Sequence, residues 1–177
     1  MKAYAVFTAI GFDRSGLVDE FTDYLARRGI NIESSRMAAL AGEFAMILYV
    51  AGEEEALKPV MEDPSEIAKR TELTVFVREA DPPGSRQVEA ALPYTVSASG
   101  MDHPGIVHRI SRLLHEFGVN IEEMDTRVEP APVSGSPVFI MEAELLVPAS
   151  VRRRRLRAAL QELEDELSVD IEFEAEK

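Results

Sequence analysis

Residues 11–18 read Gly-Phe-Asp-Arg-Ser-Gly-Leu-Val, and residues 100–107 read Gly-Met-Asp-His-Pro-Gly-Ile-Val, so one motif occurs twice. Eighteen residues after each first glycine the chain reads Gly-Ile-Asn-Ile-Glu, at 29–33, and Gly-Val-Asn-Ile-Glu, at 118–122. The matched positions all lie 89 residues apart. A period this long indicates a duplicated domain, because solenoid repeat units are only about 20–50 residues long. We therefore expect two copies of one small fold within the 177 residues.

The first copy has the pattern β-α-β-β-α-β, the split-βαβ arrangement. Its first strand, 4–10, is rich in β-branched and aromatic residues, and the helix at 15–28 has Leu17 and Phe21 on one face before Gly29. The remaining predicted elements are strands at 31–40, 43–51 and 73–77, and a helical segment from about 53 that Pro59 and Pro64 break.

The second copy repeats the pattern, with a helix that Pro104 opens as the first helical residue. Its predicted strands are 94–99, 121–129, 138–147 and 169–173, and its helices are 104–117 and 151–167. The hairpin at 130–137 is longer and proline-rich, which indicates a loop, with a lid as an alternative. The predicted domains are 1–80 and 92–177, joined by a linker at 81–91.

Composition and charge exclude several classes of protein. The chain has no cysteine, so disulfides and thiolate metal sites are excluded. Its net charge is −13, with 10 basic and 16 acidic residues in 1–89 and 9 and 16 in the rest, which disfavours direct binding of nucleic acid. No apolar run approaches the roughly 18 residues that span a membrane, and the amino terminus does not read as a signal peptide. We expect a cytoplasmic protein.

The repeated Gly-x-Asp-x-x-Gly loop joins a strand to a helix and is the first candidate site. Gly16 and Gly105 permit a close backbone approach, and the helix behind each presents unpaired N–H groups that suit a small anion such as a carboxylate. Asp13 and Asp102 are suited either to accept a hydrogen bond from an ammonium group or simply to cap the helix. The glycine spacing does not match the dinucleotide-binding fingerprint.

The asparagine in each Gly-x-Asn-Ile segment is the second candidate. Asn31 and Asn120 can hold the carboxylate or the amine of an amino acid, because an amide both donates and accepts hydrogen bonds. The alternative is a turn residue, since asparagine tolerates the left-handed conformation. We expect each asparagine to lie at the same end of its sheet as the aspartate loop, so that the two can meet.

Other reactive groups give weaker signals. His103 stands where the first copy has Arg14, and it can either contact an acidic ligand group or lie solvated at the surface. The spacing of the three histidines supplies no third metal ligand, and no cysteine or Ser-His-acid set supports catalysis. No catalytic residue, metal site or cofactor is therefore predicted.

The last predicted helix carries its charges in the unfavourable order. Arginines occupy 152–155 and 157, and acids occupy 162 and 164–166, whereas the helix dipole favours acids first and bases last. Either a partner surface or neutralisation by the acidic remainder of the protein explains this order.

The repeated residues resemble the ACT domain, a small ligand-binding regulatory module whose pattern is Gly-x-Asp-x-Pro-Gly, a helix, and Gly-x-Asn-Ile. The second copy matches this pattern from Gly100 to Gly105 and from Gly118 to Ile121, while the first copy has Ser15 in place of the proline. The resemblance implies an α+β fold of two ferredoxin-like domains, each an antiparallel four-stranded sheet with two helices on one face. Two ACT domains with no attached enzyme are similar to the glycine cleavage system transcriptional repressor group.

This resemblance implies a non-enzymatic regulator. Ligands of the family are commonly amino acids bound where two ACT domains meet, with glycine a candidate here, and the group acts through a DNA-binding activator protein without binding DNA itself. The ligand-binding residues that the resemblance implies are Asp13, Gly16, Asn31, Asp102, Gly105 and Asn120. His103 is a further candidate because of its place in the loop. Exposed sheet edges invite side-by-side pairing, either as a pseudo-dimer within one chain or between two chains, and a homodimer is the expected form. Two alternatives stay open at this point: a ligand-free protein adaptor, or a small hydrolase on a ferredoxin-like fold.

Overall fold

The computed structural model describes residues 1–85, 89–132 and 134–176. The chain divides into two compact units, Met1–Gln87 and Val88–Lys177. Parts of three predicted segments lie outside the described residues: 86–88 of the linker, Val133 of the proline-rich hairpin and Lys177 of the second domain. The predicted boundaries at 80 and 92 stay a prediction.

The first unit has the predicted order of elements. These are β1 (Lys2–Phe12), α1 (Leu17–Ala26), β2 (Asn31–Leu40), β3 (Glu43–Glu53), α2 (Glu54–Glu62), α3 (Ser65–Thr71) and β4 (Thr74–Glu79). The strands form one antiparallel sheet in the order β2-β3-β1-β4. Burial alternates along β1, where Ala5, Phe7 and Ala9 are buried against the helices. On the opposite side of the sheet, Ile10, Ile47 and Phe76 are exposed.

The second unit repeats this architecture with one long final helix. Its elements are β5 (Ala91–Met101), α4 (Ile106–Glu116), β6 (Asn120–Pro130), β7 (Pro137–Pro148), α5 (Arg153–Leu167) and β8 (Val169–Ala175). The sheet order is β6-β7-β5-β8, again antiparallel. Leucines 156, 160, 163 and 167 of α5 recur at helical spacing and are buried in the core. The α+β class and the four-stranded sheets are therefore confirmed.

Two predictions about proline are wrong. Pro59 lies inside α2 and does not break it, because Pro59 is on the exposed side of a nine-residue helix, where water can replace the lost hydrogen bond. Pro64 alone separates α2 from α3. Pro104 is not the first helical residue either, because α4 begins at Ile106 after the N-cap Gly105.

None of the helices in the described part of the chain is both long and apolar enough to cross a membrane.

Candidate functional site

The repeated loop follows the end of the central strand in each unit. Asp13 and Asp102 are exposed, and their backbone N–H groups donate to the carbonyls of Gly42 (2.9 Å) and Pro137 (3.1 Å). Each loop is thereby fixed against the hairpin that joins the next two strands. The aspartate side chains remain at the surface of the unit.

The last glycine of the motif is the N-cap of the helix. Gly16 has φ 94° and ψ −8°, and Gly105 has φ 102° and ψ −7°, and no side chain caps either helix. The alternative that Asp13 and Asp102 are capping residues is therefore wrong. Among the described residues, no side-chain hydrogen bond caps α1 or α4, and an exposed aspartate precedes the N-cap of each helix by three residues.

The first glycine has a different role, which is to let two strands approach closely. A Cβ atom added at Gly100 would lie 2.9 Å from Cα of Val169, where β8 begins. At Gly11 the nearest atom would be Cδ2 of Leu73, at 2.9 Å. The two glycines of each motif thus serve sheet packing and helix initiation, and both roles position the aspartate between them.

A basic side chain connects each loop to the end of the last helix of its unit. Arg14 donates to the carbonyl of Thr71 (3.3 Å) and to both carboxylate oxygens of Glu20 (2.7 Å each). His103 lies with Nε2 3.0 Å from the carbonyl of Leu167 and Nδ1 3.2 Å from that of Pro104. Because both ring nitrogens face carbonyl oxygens in this arrangement, His103 presents no vacant ring nitrogen to a ligand.

His103 is expected to make the second unit more stable in mild acid than in mild base. Its hydrogen bonds to the carbonyls of Leu167 and Pro104 raise its pKa above 6.5, and the charge of Asp102 adds to this. The stabilisation is full below pH 6.5 and is lost as the pH rises through the raised pKa. An NMR titration should give a pKa above 6.5 for His103. Urea unfolding of His103→Arg, which copies Arg14, should lose this pH dependence.

The comparison with His108→Gln separates this effect from general histidine titration. His108 is exposed on α4, and its ring makes no such pair of bonds with the residues that the structure describes, so His108→Gln should leave the pH dependence in place. An unchanged profile in His103→Arg would contradict the assignment.

The asparagines lie exposed at the first residue of an edge strand. Asn31 donates through Nδ2 to Oε1 of Glu33 (3.4 Å), and Asn120 donates to Glu122 in the same way. Each glutamate sits where the strand pairing shifts by one residue, between Ile32 and Ser34 and between Ile121 and Glu123. Sequence reasoning did not single out these glutamates, although they belong to the repeated Gly-x-Asn-Ile-Glu segment.

The expectation that the asparagine meets the aspartate loop within one unit is wrong. Asn31 pairs with Ala51, which pairs with Tyr4 near the start of β1, whereas Asp13 follows the end of β1. Asp13 is nine residues beyond Tyr4, so it lies about 30 Å along the sheet from Asn31. In the second unit, Asn120 pairs with Leu146, which pairs with Pro93. Asn120 is therefore separated from Asp102 by the same distance.

The physical reason is the direction of the intervening helix. β1 and β2 both run antiparallel to β3, so they run parallel to one another and start at the same end of the sheet. The helix between them returns the chain to that starting end. One small ligand therefore cannot touch both motifs of the same unit.

Metal binding has no geometric support in the described parts of the chain. No three His, Asp or Glu side chains there are grouped so that they could hold an ion.

A family model of the ACT domain matches residues 3–78 and 94–174, which is most of the chain and both copies of the repeat. The protein belongs to the ACT domain family. The two compact units are therefore ACT units, and the repeated loops and asparagines are the signature positions from which the resemblance was inferred.

Individual relatives of this ACT protein span nearly its full length. It is 26% identical over 165 residues to the glycine cleavage system transcriptional repressor of Escherichia coli (strain K12), a match covering 93% of this chain and 86% of the relative. The protein of the same name from Shigella flexneri matches equally well. The crystal structure of an unknown protein from Galdieria sulphuraria matches with a TM-score of 0.85 and 29% identity, covering 100% of both chains. The chain is thus a regulatory ACT domain protein related to these repressors.

Proposed function

We propose that this ACT protein is a non-enzymatic regulator that binds a small amino acid at its Asp-x-x-Gly loops and controls a protein partner in the transcriptional regulation of amino-acid metabolism. One observation carries the proposal. In both units an exposed aspartate stands beside a helix N-terminus that no side chain caps. The relatives named as glycine cleavage system transcriptional repressors support the regulatory role and make glycine the first ligand to try.

The loop has the two halves of an amino-acid site. The first-turn N–H groups of α4 can donate to the ligand carboxylate, which the helix dipole also favours. The carboxylate of Asp102 can accept from the ligand ammonium group, and Asp13 has the same role in the first unit. Both contacts are charge-assisted, which suits recognition of a zwitterion as small as glycine.

In this proposal, the asparagine that contacts the ligand belongs to a second copy of the ACT unit. Since Asn120 lies about 30 Å from Asp102 in its own unit, an asparagine that touches the bound ligand must come from another copy, such as one in a second chain. Binding of the amino acid would then order an interface between two chains. A change in that interface can control a protein partner only if the two states bind the partner differently.

Replacement of Asp102 and Asp13 by asparagine is expected to weaken amino-acid binding by about 10- to 100-fold, because the hydrogen bond to the ammonium group loses its charge. Calorimetric titration with glycine, serine and the other common amino acids measures this directly. Asp125→Asn removes one exposed carboxylate from the middle of β6 and serves as the matched control, with affinity unchanged. Equal affinity in the loop variants and the control would exclude the loops as the site.

A protein adaptor without a ligand is the second candidate. Arg152, Arg153, Arg154 and Arg155 are exposed and form no ion pair with the described residues, so this arginine cluster is available to an acidic partner. Arg157 is different, because it donates to the carbonyl of Phe173 (3.0 Å) and belongs to the unit itself. The adaptor predicts no change in thermal midpoint with any amino acid, whereas the sensor predicts about 2.7 kcal/mol of stabilisation at a hundredfold excess over Kd.

A further inference from the structure

The two sheets differ most on the side that faces away from their helices, which we call the open face. In the first unit the open face is apolar. Its exposed members are Ile10 (46% exposed), Phe12 (82%), Leu40 (77%), Ile47 (46%) and Phe76 (66%). Ile47 and Phe76 flank Thr8 in one row across β3, β1 and β4.

The second unit serves as an internal control for this surface. The position that corresponds to Thr8 is Ser97, 89 residues on, and its neighbours in the row are Glu142 and Glu172. The same sheet therefore forms with carboxylates where the first unit has isoleucine and phenylalanine. Apolar residues on the open face are not needed for the fold, so their exposure in the first unit requires another reason.

The area of this surface is suited to a stable interface. The five side chains expose on the order of 600 Å², which is at the upper end of the largest apolar patches on monomers, about 300–600 Å². Val6, Ala38 and Ala45 extend the same face. Together they approach the roughly 800 Å² per partner that a standard protein interface buries.

The distribution of charge indicates which surface can pack against the open face of the first unit. Across residues 4–78, all of which the structure describes, Glu43 lies at one end of the open face, and Glu33 lies near the other end, where it pairs with Lys2. Arg36 and Arg78 lie at the two lateral edges. The open face of the second unit instead carries Glu123, Asp125, Glu142, Glu144, Asp170 and Glu172. Packing the apolar face on that acidic surface of another chain would remove these carboxylates from water, which is costly even for carboxylates that are paired. Two copies of the apolar face can meet without burying a carboxylate at their centre.

We propose that two copies of the chain associate through the open face of the first ACT unit, sheet against sheet about a two-fold axis. Such a contact is self-complementary, because each copy offers the same apolar surface and keeps its edge arginines at the solvated rim. Packed sheets lie about 10 Å apart, so Ile47 and Phe76 of both copies enter one shared core. This inference does not depend on the proposed ligand or its site.

The test is the dissociation constant of the dimer, measured by sedimentation equilibrium of the full chain. Ile47→Glu with Phe76→Glu copies the residues that the second unit already carries, and it should weaken the dimer by at least about 100-fold. Val128→Glu, at a similarly exposed apolar residue of the second unit, should leave the dissociation constant unchanged. Circular dichroism establishes that each variant is folded.

A milder pair keeps the test decisive if the glutamate variant does not fold. Ile47→Ala with Phe76→Ala removes the contact area without adding charge and should weaken the dimer by at least about 10-fold. A parent chain that stays monomeric at about 100 μM would overturn the proposal. A dimer that neither double variant weakens would overturn it as well, because its interface must then lie elsewhere.

Discussion

Gly100→Ala is expected to destabilise the second ACT unit by about 1–3 kcal/mol, the usual cost of forcing atoms into a filled space. The added Cβ would lie 2.8 Å from Cγ1 and 2.9 Å from Cα of Val169. Because one of these atoms is backbone, rotation of a side chain cannot relieve the contact, and the start of β8 must move away from β5. Hydrogen exchange resolved by mass spectrometry should show faster exchange in β5 and β8, with the first unit unaffected.

Gly11→Ala is the matched control for this prediction. The added Cβ would meet Cδ2 of Leu73 at 2.9 Å, while the nearest backbone atom, the carbonyl oxygen of Glu72, lies at 3.4 Å. The end of a leucine side chain can turn aside, so the loss of stability in the first unit should be smaller. Equal losses in the two variants would contradict the role of the Val169 backbone.

Gly105→Asn is expected to cost about 1–2 kcal/mol by backbone strain alone. Nothing lies within 4 Å of a Cβ added at Gly105, so no clash contributes. Its φ of 102° and ψ of −7° lie well outside the left-handed region near φ +57° that asparagine tolerates. Urea unfolding of the second unit measures the loss.

Gly118→Asn isolates the strain, because this glycine is also unobstructed but has φ 69°, close to the left-handed region. The free energy of unfolding of Gly118→Asn should stay within about 0.5 kcal/mol of the parent value. The prediction fails if both asparagine variants are destabilised alike, since loss of glycine as such would then be the cause.

Much of the fold followed from local patterns in the sequence. Gly29 and Gly118 have the positive φ expected after their helices, and strand β2 has the predicted bounds, 31–40. These features depend on neighbouring residues only, so periodicity and turn chemistry are sufficient to predict them. Pro59 was misjudged because its effect depends on which side of α2 faces water, and that is a property of packing.

The candidate site was predicted only in part. The repeat singled out both loops and both asparagines, yet the assignment of Asp13 and Asp102 as possible caps was wrong because Gly16 and Gly105 take the N-cap position. The bonds of His103 to Leu167 and of Arg14 to Thr71 join residues 64 and 57 positions apart. No local spacing rule reports contacts over such separations.

Short stretches of the chain are sufficient to predict two copies of one βαββαβ fold, since the repeated motifs, the glycines and the apolar periodicity are local features. Where those stretches meet in space depends on how the helices and strands pack. Asp13 and Asn31 are 18 residues apart, yet they lie at opposite ends of a sheet, because α1 carries the chain back along β1. Likewise the apolar open face joins β2, β3, β1 and β4 across the sheet, and its contrast with the acidic second sheet becomes visible only when strand register aligns residues distant in sequence.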